Sequence, residues 1–175
     1  MTTSPRDLYP RTTCGCATCT VGCRTCPGPL IPGDAERIAD YCGMKGPEAI
    51  GEFVLDHFCA SDGGTIVENR NGLLVHRRVP SVVPQQTADG SCVFLRANGE
   101  CAIHPVSPYG CSHFDTHMSQ EQAEPRSRDM LLACEASPGY NALWRMLAGA
   151  GKIAKPVQER KDAMYEAELR VRTGT

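Results

Sequence analysis

The apolar positions of this chain change period along its length, and the changes mark out its elements. Residues 34–42 repeat at helical spacing, with Ala35, Ile38, Ala39 and Cys42 on one side, Asp34 as N-cap and Gly43 as the stop. Pro47 then opens a second helix whose apolar residues are Ile50, Phe53, Val54, Leu55 and Phe58. Residues 64–79 read as extended, with Asn71-Gly72 a turn between Thr65-Ile66-Val67 and Leu73-Leu74-Val75. A second hairpin is expected where Cys92-Val93-Phe94-Leu95 and Cys101-Ala102-Ile103-His104 flank Ala97-Asn98-Gly99-Glu100. From Ser119 the period is helical again, over 129–136, 141–147 and 157–172, the last with Glu166/Arg170 and Glu168/Arg172 at i,i+4. Trp144, with Leu143, Met146 and Leu147, packs this region on the core. Residues 14–33, rich in Cys, Gly, Thr and Pro, carry no period and read as an irregular loop.

These elements predict an α+β fold: small antiparallel hairpins with helices around them and a helical C-terminal region. Residues 14–118 form the first part, and 119–175 form an extension packed on it. There is no internal repeat or low-complexity tract. A chain of 175 residues is one domain's worth of polypeptide and needs neither disulfide nor metal merely to stay folded.

Charge narrows the function. Eighteen Lys plus Arg against twenty Asp plus Glu leave a net charge of −2 with no basic stretch, which argues against a nucleic-acid partner. Residues 1–13 are polar and contain Pro, without the apolar run of a signal peptide, and no segment approaches the ~18 apolar residues of a membrane span. A cytoplasmic protein without a membrane partner is expected.

Eleven cysteines change the picture. The number is odd, and a cytoplasmic chain is kept reduced, so metal ligation takes precedence over disulfides. Cys14, Cys16, Cys19, Cys23 and Cys26 crowd one segment, Cys92, Cys101 and Cys111 another, and Cys42, Cys59 and Cys134 fall on helical patterns where a buried thiol needs no function. In Cys16-x2-Cys19-x3-Cys23-x2-Cys26 each two-residue spacer lets a tight turn aim two sulfurs at one ion or at two corners of a cluster. Bacterial ferredoxins use a similar dense run closed by Cys-Pro, as Cys26-Pro27 closes this one, though with spacings in a different order. Two other readings compete. Four core cysteines cannot all find a core from a Gly/Pro loop, and a thioredoxin-like pair needs a helix opening after a strand. Neither suits this segment.

The second group carries a resemblance. Asp89-Gly90-Ser91-Cys92-Val93-Phe94-Leu95, Gly99-Glu100-Cys101-Ala102-Ile103-His104-Pro105 and Pro108-Tyr109-Gly110-Cys111-Ser112-His113-Phe114 resemble the downstream half of the YkgJ-like cysteine-cluster family, described as zinc- or iron-chelating and found in bacteria. Its pattern is C-x-x-C-x-x-C-C, a short helix, then G-x-C-x-F-L, C-x-I-Y and R-P-x-x-C. Cys92, Cys101 and Cys111 match residue by residue, and Cys19, Cys23 and Cys26 match approximately, over about residues 14–115. The chain lacks the adjacent Cys-Cys pair, has His104 for Tyr and has Ser107-Pro108 for Arg-Pro. The resemblance implies metal binding and leaves the reaction open.

The candidate ligands are Cys16, Cys19, Cys23, Cys26, Cys92, Cys101 and Cys111, followed by Cys14, His104, His113 and His117. Seven or eight ligands imply two mononuclear sites, one polynuclear centre, or one site with spare thiols. Cys19, Cys23, Cys92, Cys101 and Cys111 are expected to converge, and their linkage would couple metal binding to folding. Thiols held on a run and a distant hairpin favour an iron-sulfur cluster over Zn2+ or mononuclear iron. The function expected is a metal-binding accessory or electron-transfer module with a protein or redox partner. The alternative is a small metalloenzyme using a mixed Cys/His site, with 119–175 walling a pocket. No phosphate loop or G-x-S-x-G elbow supports a kinase or hydrolase.

Overall fold

The computed structural model describes residues 3–12 and 14–174; Met1, Thr2 and Thr13 of the polar N-terminal segment, and Thr175 at the end of the expected C-terminal extension, lie outside the described residues. The fold is α+β. Helix α1 (Pro5–Leu8) leads to two single-turn helices, α2 (Ala17–Thr20) and α3 (Gly22–Thr25). The cysteine-rich run is therefore not irregular throughout: Cys16 caps α2 and Cys23 lies within α3.

Helix α4 (Asp34–Tyr41) begins at the expected cap itself, and Gly33, one residue earlier at φ 86°, takes that role. Asp34 is free for another task. Its carboxylate, 1% exposed, accepts from the Ile31 and Tyr109 backbone N–H at 3.1 and 2.9 Å and from the Arg6 and Arg37 guanidinium groups at 2.8 and 3.1 Å. Both arginines also reach the Ser107 carbonyl. This buried acid thus clamps the N-terminal segment and the start of α4 to residues 107–109.

Helix α5 (Pro47–His57) starts at Pro47 as expected and runs directly into strand β1 (Phe58–Arg70), which pairs antiparallel with β2 (Leu73–Pro84). The hairpin is longer than residues 64–79 because Phe58 to Ser61 continue to pair with Pro84 to Ser81. Asn71 and Gly72 have φ of 55° and 85°, the pair of positive values that a tight two-residue hairpin turn requires. The register shifts between Ser61 and Gly64, and Gly63, at φ 71°, lies so close to the Val79 carbonyl that an added Cβ would stand 1.9 Å from it. Cys59 lies on β1 and not on a helix.

The second expected hairpin is not a strand pair. Only the isolated bridges Gln86↔Cys92 and Leu95↔Cys101 form there. Ala102 N–H reaches the Phe94 carbonyl and Arg96 N–H the Glu100 carbonyl, but Leu95 N–H turns back to the Cys92 carbonyl and Gly99 N–H to Arg96, so the pairing stops at one bridge.

A 3₁₀ turn (His104–Val106) and α6 (Tyr109–Ser112) precede three longer helices, α7 (Gln120–Ala136), α8 (Pro138–Gly149) and α9 (Val157–Thr173). Helix α7 starts well before residue 129 because Ser119 and Gln122 form a reciprocal capping box. Met130, Leu131, Cys134, Tyr140 and Leu147 enter the same core as Leu30, Ile38, Phe58 and Val82. Tyr140 Oη ties the layers, accepting from Val82 N–H and donating to the Leu30 carbonyl, both at 2.8 Å. Trp144 Nε1 donates to the Ser61 carbonyl at 2.9 Å. Helix α9 lies against α2, α3 and β1. Among the described residues no helix is long and apolar enough to cross a membrane.

Removing the Asp34 carboxylate leaves two arginines and two backbone N–H groups without their acceptor. Asp34→Ala is expected to lower stability by about 3–5 kcal/mol, the range for breaking a buried ion pair by deleting one partner. Urea unfolding of the two proteins measures it. A loss under ~1 kcal/mol would show that other contacts hold these segments together.

Candidate metal centre

The fold sorts the candidate thiols into two groups. In the first, Cys14, Cys16, Cys19 and His117 bring their ligand atoms within 4.8 Å of one another. Cys16 is the N-cap of α2 and Cys19 its third residue, so the two-residue spacer turns both sulfurs to the same end of the helix. His117 comes from the turn after α6, where its N–H bonds Asp115 Oδ1 at 2.9 Å, and its Nε2 stands 3.3 Å from Cys16 Sγ. Cys19 Sγ is 3.3 Å from Thr116 Oγ1. Cys14, Cys16 and His117 are exposed and Cys19 is half-buried.

Electrostatics prepare this group for a cation. The Cys19 backbone N–H and then the His117 ring lower the Cys16 thiol to about 6, while His117 is raised chiefly by the same contact. A backbone bond at Cys16 lowers Cys14, but its contacts with the Cys19 and Cys16 side chains outweigh that and leave it raised. Cys16 is thus shifted toward its thiolate and His117 toward its protonated ring, each by the other, and a metal ion binding there displaces protons from the thiols and the ring. Three thiolates and one imidazole match a common tetrahedral ligand set.

The second group is Cys23, Cys92, Cys101 and Cys111. Cys92 N–H donates to the Cys23 carbonyl at 2.8 Å, the turn beginning at Cys92 ends at Leu95, and Leu95 pairs with Cys101. Cys111 arrives on α6, with Gly28 N–H donating to its sulfur at 3.1 Å. Cys111 feels the charge of the other three, Cys92 that of Cys23 and Cys101, and Cys23 that of Cys101. Burial raises all four, Cys92 to about 12 and Cys111 well above the ordinary thiol range. Among the described residues the first group is the only one whose ligand atoms gather within 4.8 Å, so the four thiols of the second stand wider apart. A cavity of about 350 Å³ reaches both groups, with Cys19 from the first and Cys23 and Cys111 from the second in its wall.

The expected convergence therefore takes in Cys23, Cys92, Cys101 and Cys111, whereas Cys19 joins Cys14 and Cys16. Cys26 stands outside both groups; its sulfur lies 3.8 Å from Arg160 Nη1, and burial raises its thiol. His104 is exposed on the 3₁₀ turn, where its carbonyl accepts from Arg11 and Ser107. His113 is 1% exposed, stacked on Tyr109 at a centroid distance of 4.3 Å, and its Nδ1 is 2.9 Å from Ser112 Oγ. Of the three candidate histidines, His117 alone enters a ligand group, and nothing in its local spacing singles it out, since Cys16 is 101 residues away. Arg160 was not among the residues the sequence marked; a single arginine in the first turns of a polar helix carries no signal of burial.

No family model, no curated protein and no solved structure matches the chain.

Two histidines four residues apart should behave oppositely. His117→Ala is expected to lose one bound metal ion, while His113→Phe, which keeps the stacked ring, retains full metal content by elemental analysis. Burial, and then the charge of Arg6, lowers His113 to about 4. Between about pH 6.5 and pH 4 the unfolded chain therefore binds a proton that the folded one excludes, so stability falls as pH drops through that window, by about 3 kcal/mol in all. His113→Phe should lose correspondingly less over the same range. Parallel pH profiles for the two proteins would contradict this account of His113.

Proposed function

We propose that the protein is a two-centre metalloprotein of the accessory or electron-transfer type, with a single ion on Cys14, Cys16, Cys19 and His117 and an iron-sulfur cluster on Cys23, Cys92, Cys101 and Cys111. The convergence of three thiols and an imidazole from segments a hundred residues apart carries the reading. Their spacing suits one ion: tetrahedral metal-sulfur bonds of about 2.3 Å put neighbouring sulfurs about 3.8 Å apart. The wider buried set suits a body larger than one ion, such as a multi-iron cluster. Such a cluster supplies one-electron exchange, and full thiolate ligation leaves no open position for a substrate.

The chain's own groups tune this. Burial of Cys92 and Cys111 disfavours bare thiolates, so these positions need a cation to be charged at all. The Gly28 N–H held on Cys111 Sγ is a hydrogen bond of the kind that shifts a cluster's potential. The resemblance of Cys92, Cys101 and Cys111 to the YkgJ-like pattern supports the same assignment, and eleven free thiols fit a reducing, cytoplasmic setting. A second reading, a small metalloenzyme, is favoured by one observation. The exposed group is mixed Cys/His, and the adjoining cavity reaches Cys19 beside Asp115 and Thr116.

Anaerobic purification followed by iron, zinc and sulfide analysis tests the proposal. Visible absorption bleached by dithionite, and iron with labile sulfide in equal amounts, are expected. Cys101→Ser should abolish the chromophore, whereas His117→Ala should keep it and lose only the separate ion. Zinc alone, without iron or sulfide, would sink the cluster assignment.

A further inference from the structure

We propose that the cavity beneath α9 binds a small organic carboxylate, its acid group on Arg160 and Lys161 and its apolar body among Phe114, Met130, Leu131 and Met164. The inference stands on the cavity and its charges and not on metal content, and so goes beyond the metal reading.

The cavity measures about 340 Å³, at the lower end of the range for small-molecule sites. Its wall is mostly apolar, contains two cations and contains no aspartate or glutamate. Arg160 is 3% exposed. A guanidinium has five N–H donors. Here Nε donates to the Lys155 carbonyl at 3.1 Å, Nη2 to Ser61 Oγ at 2.7 Å, and Nη1 has only the Cys26 sulfur at 3.8 Å, a weak acceptor. Two N–H groups are left over. Among the described residues no carboxylate lies within ion-pair distance; an indirect connection runs through Ser61 Oγ to Asp62 at 3.3 Å, and Asp62 is already paired with Arg78.

A buried charge without a counter-ion is costly, so this arrangement is stabilised by an anion that enters the cavity. Cys26 serves poorly, because burial disfavours its charged form. A carboxylate fits the planar fork of Arg160 with two parallel hydrogen bonds, and Lys161 adds a second charge at the same wall. Inorganic phosphate would match the fork equally well but leave the apolar wall unused, which is the reason for an organic acid. The cavity shares Cys26, Phe114 and Met164 with the one that reaches Cys19 and Cys111, so the two meet along that wall.

Calorimetric titration of the full, metal-loaded protein with 3-phenylpropanoate, 3-phenylpropanamide and inorganic phosphate tests the proposal. The acid should bind at one saturable site, the amide at least tenfold more weakly, and phosphate more weakly than the acid. Arg160→Met should abolish binding. Lys161 is exposed, so Lys161→Gln keeps the fold and should weaken the acid several-fold even if the Arg160 variant does not fold. Binding of the acid should persist in His117→Ala, which separates this site from the exposed metal group. Equal affinity for acid and amide, tighter binding of phosphate, no binding of the acid, or an unchanged affinity in Lys161→Gln would each overturn it.

Discussion

Two backbone segments cross at Gly28 and Gly110 with no room for a side chain between them, and the placement of the buried thiols depends on that crossing. A Cβ on Gly28 would lie 2.2 Å from the Gly110 carbonyl carbon, and one on Gly110 would lie 2.2 Å from the Pro29 ring. Gly110 N–H donates to the Pro29 carbonyl at 2.8 Å, and Gly28 N–H to Cys111 Sγ at 3.1 Å. Glycine is needed here for close approach, since Gly28 and Gly110 are not among the glycines with positive φ. The flanking prolines hold the 27–29 segment extended, so it meets α6 as a stiff strap. The Asp34 carboxylate fastens the same two segments a few residues further on, through Ile31 and Tyr109. Cys111 is thereby held near enough to Cys23 and Cys92 to feel their charge.

Around that crossing the thiols divide by environment. Those of the inner group are driven toward the neutral form by burial, which only a bound cation can reverse. Those at the surface include one thiol already lowered by its neighbours, beside an imidazole raised by the same contact. Inner and outer groups are consecutive along the chain, from Cys14 to Cys23, yet α2 and α3 turn their sulfurs to different partners. Two single-turn helices joined at Val21, itself buried at 4% exposure, make that division possible. Helix α9 then closes the region, and its Arg160 guanidinium lies where the strap, β1 and the cavities meet.

Helices α4, α5, α8 and α9 were legible because each carries its own signal, whereas α1, α2, α3 and α6 are single turns too short to show a period. Pro47 opens α5, Gly43 follows α4, and the apolar residues between them keep the helical period. The Asn71-Gly72 turn was equally plain, since few dipeptides accept two positive φ values. The segment from Cys92 to His104 was misread because alternating apolar residues around an Asn-Gly turn look alike whether the backbone forms a ladder or a chain of local turns. What separates the cases is how many bonds cross the turn, and between these flanks the pairing stops at the single Leu95↔Cys101 bridge. Cap placement at Asp34 failed for a related reason. The residue has the right chemistry for a cap, but its carboxylate satisfies more buried donors by turning inward.

What the sequence determined by itself is the chemistry: too many thiols, at spacings too short, for cysteine to be ordinary core material. It also determined the α+β class, because propensity and period are local properties. Which thiols share a site was decided only by the tertiary structure. Cys19 and Cys23 are separated by three residues, yet they face different groups, and His117 enters its group from 101 residues beyond Cys16. Ligand sets depend on distances through space, and those are set by a glycine crossing, a buried carboxylate and the docking of α9, none of which leaves a periodic mark on the chain. The same holds for Arg160, whose burial follows from packing against Ser61 and Cys26 and not from anything in its neighbours along the helix.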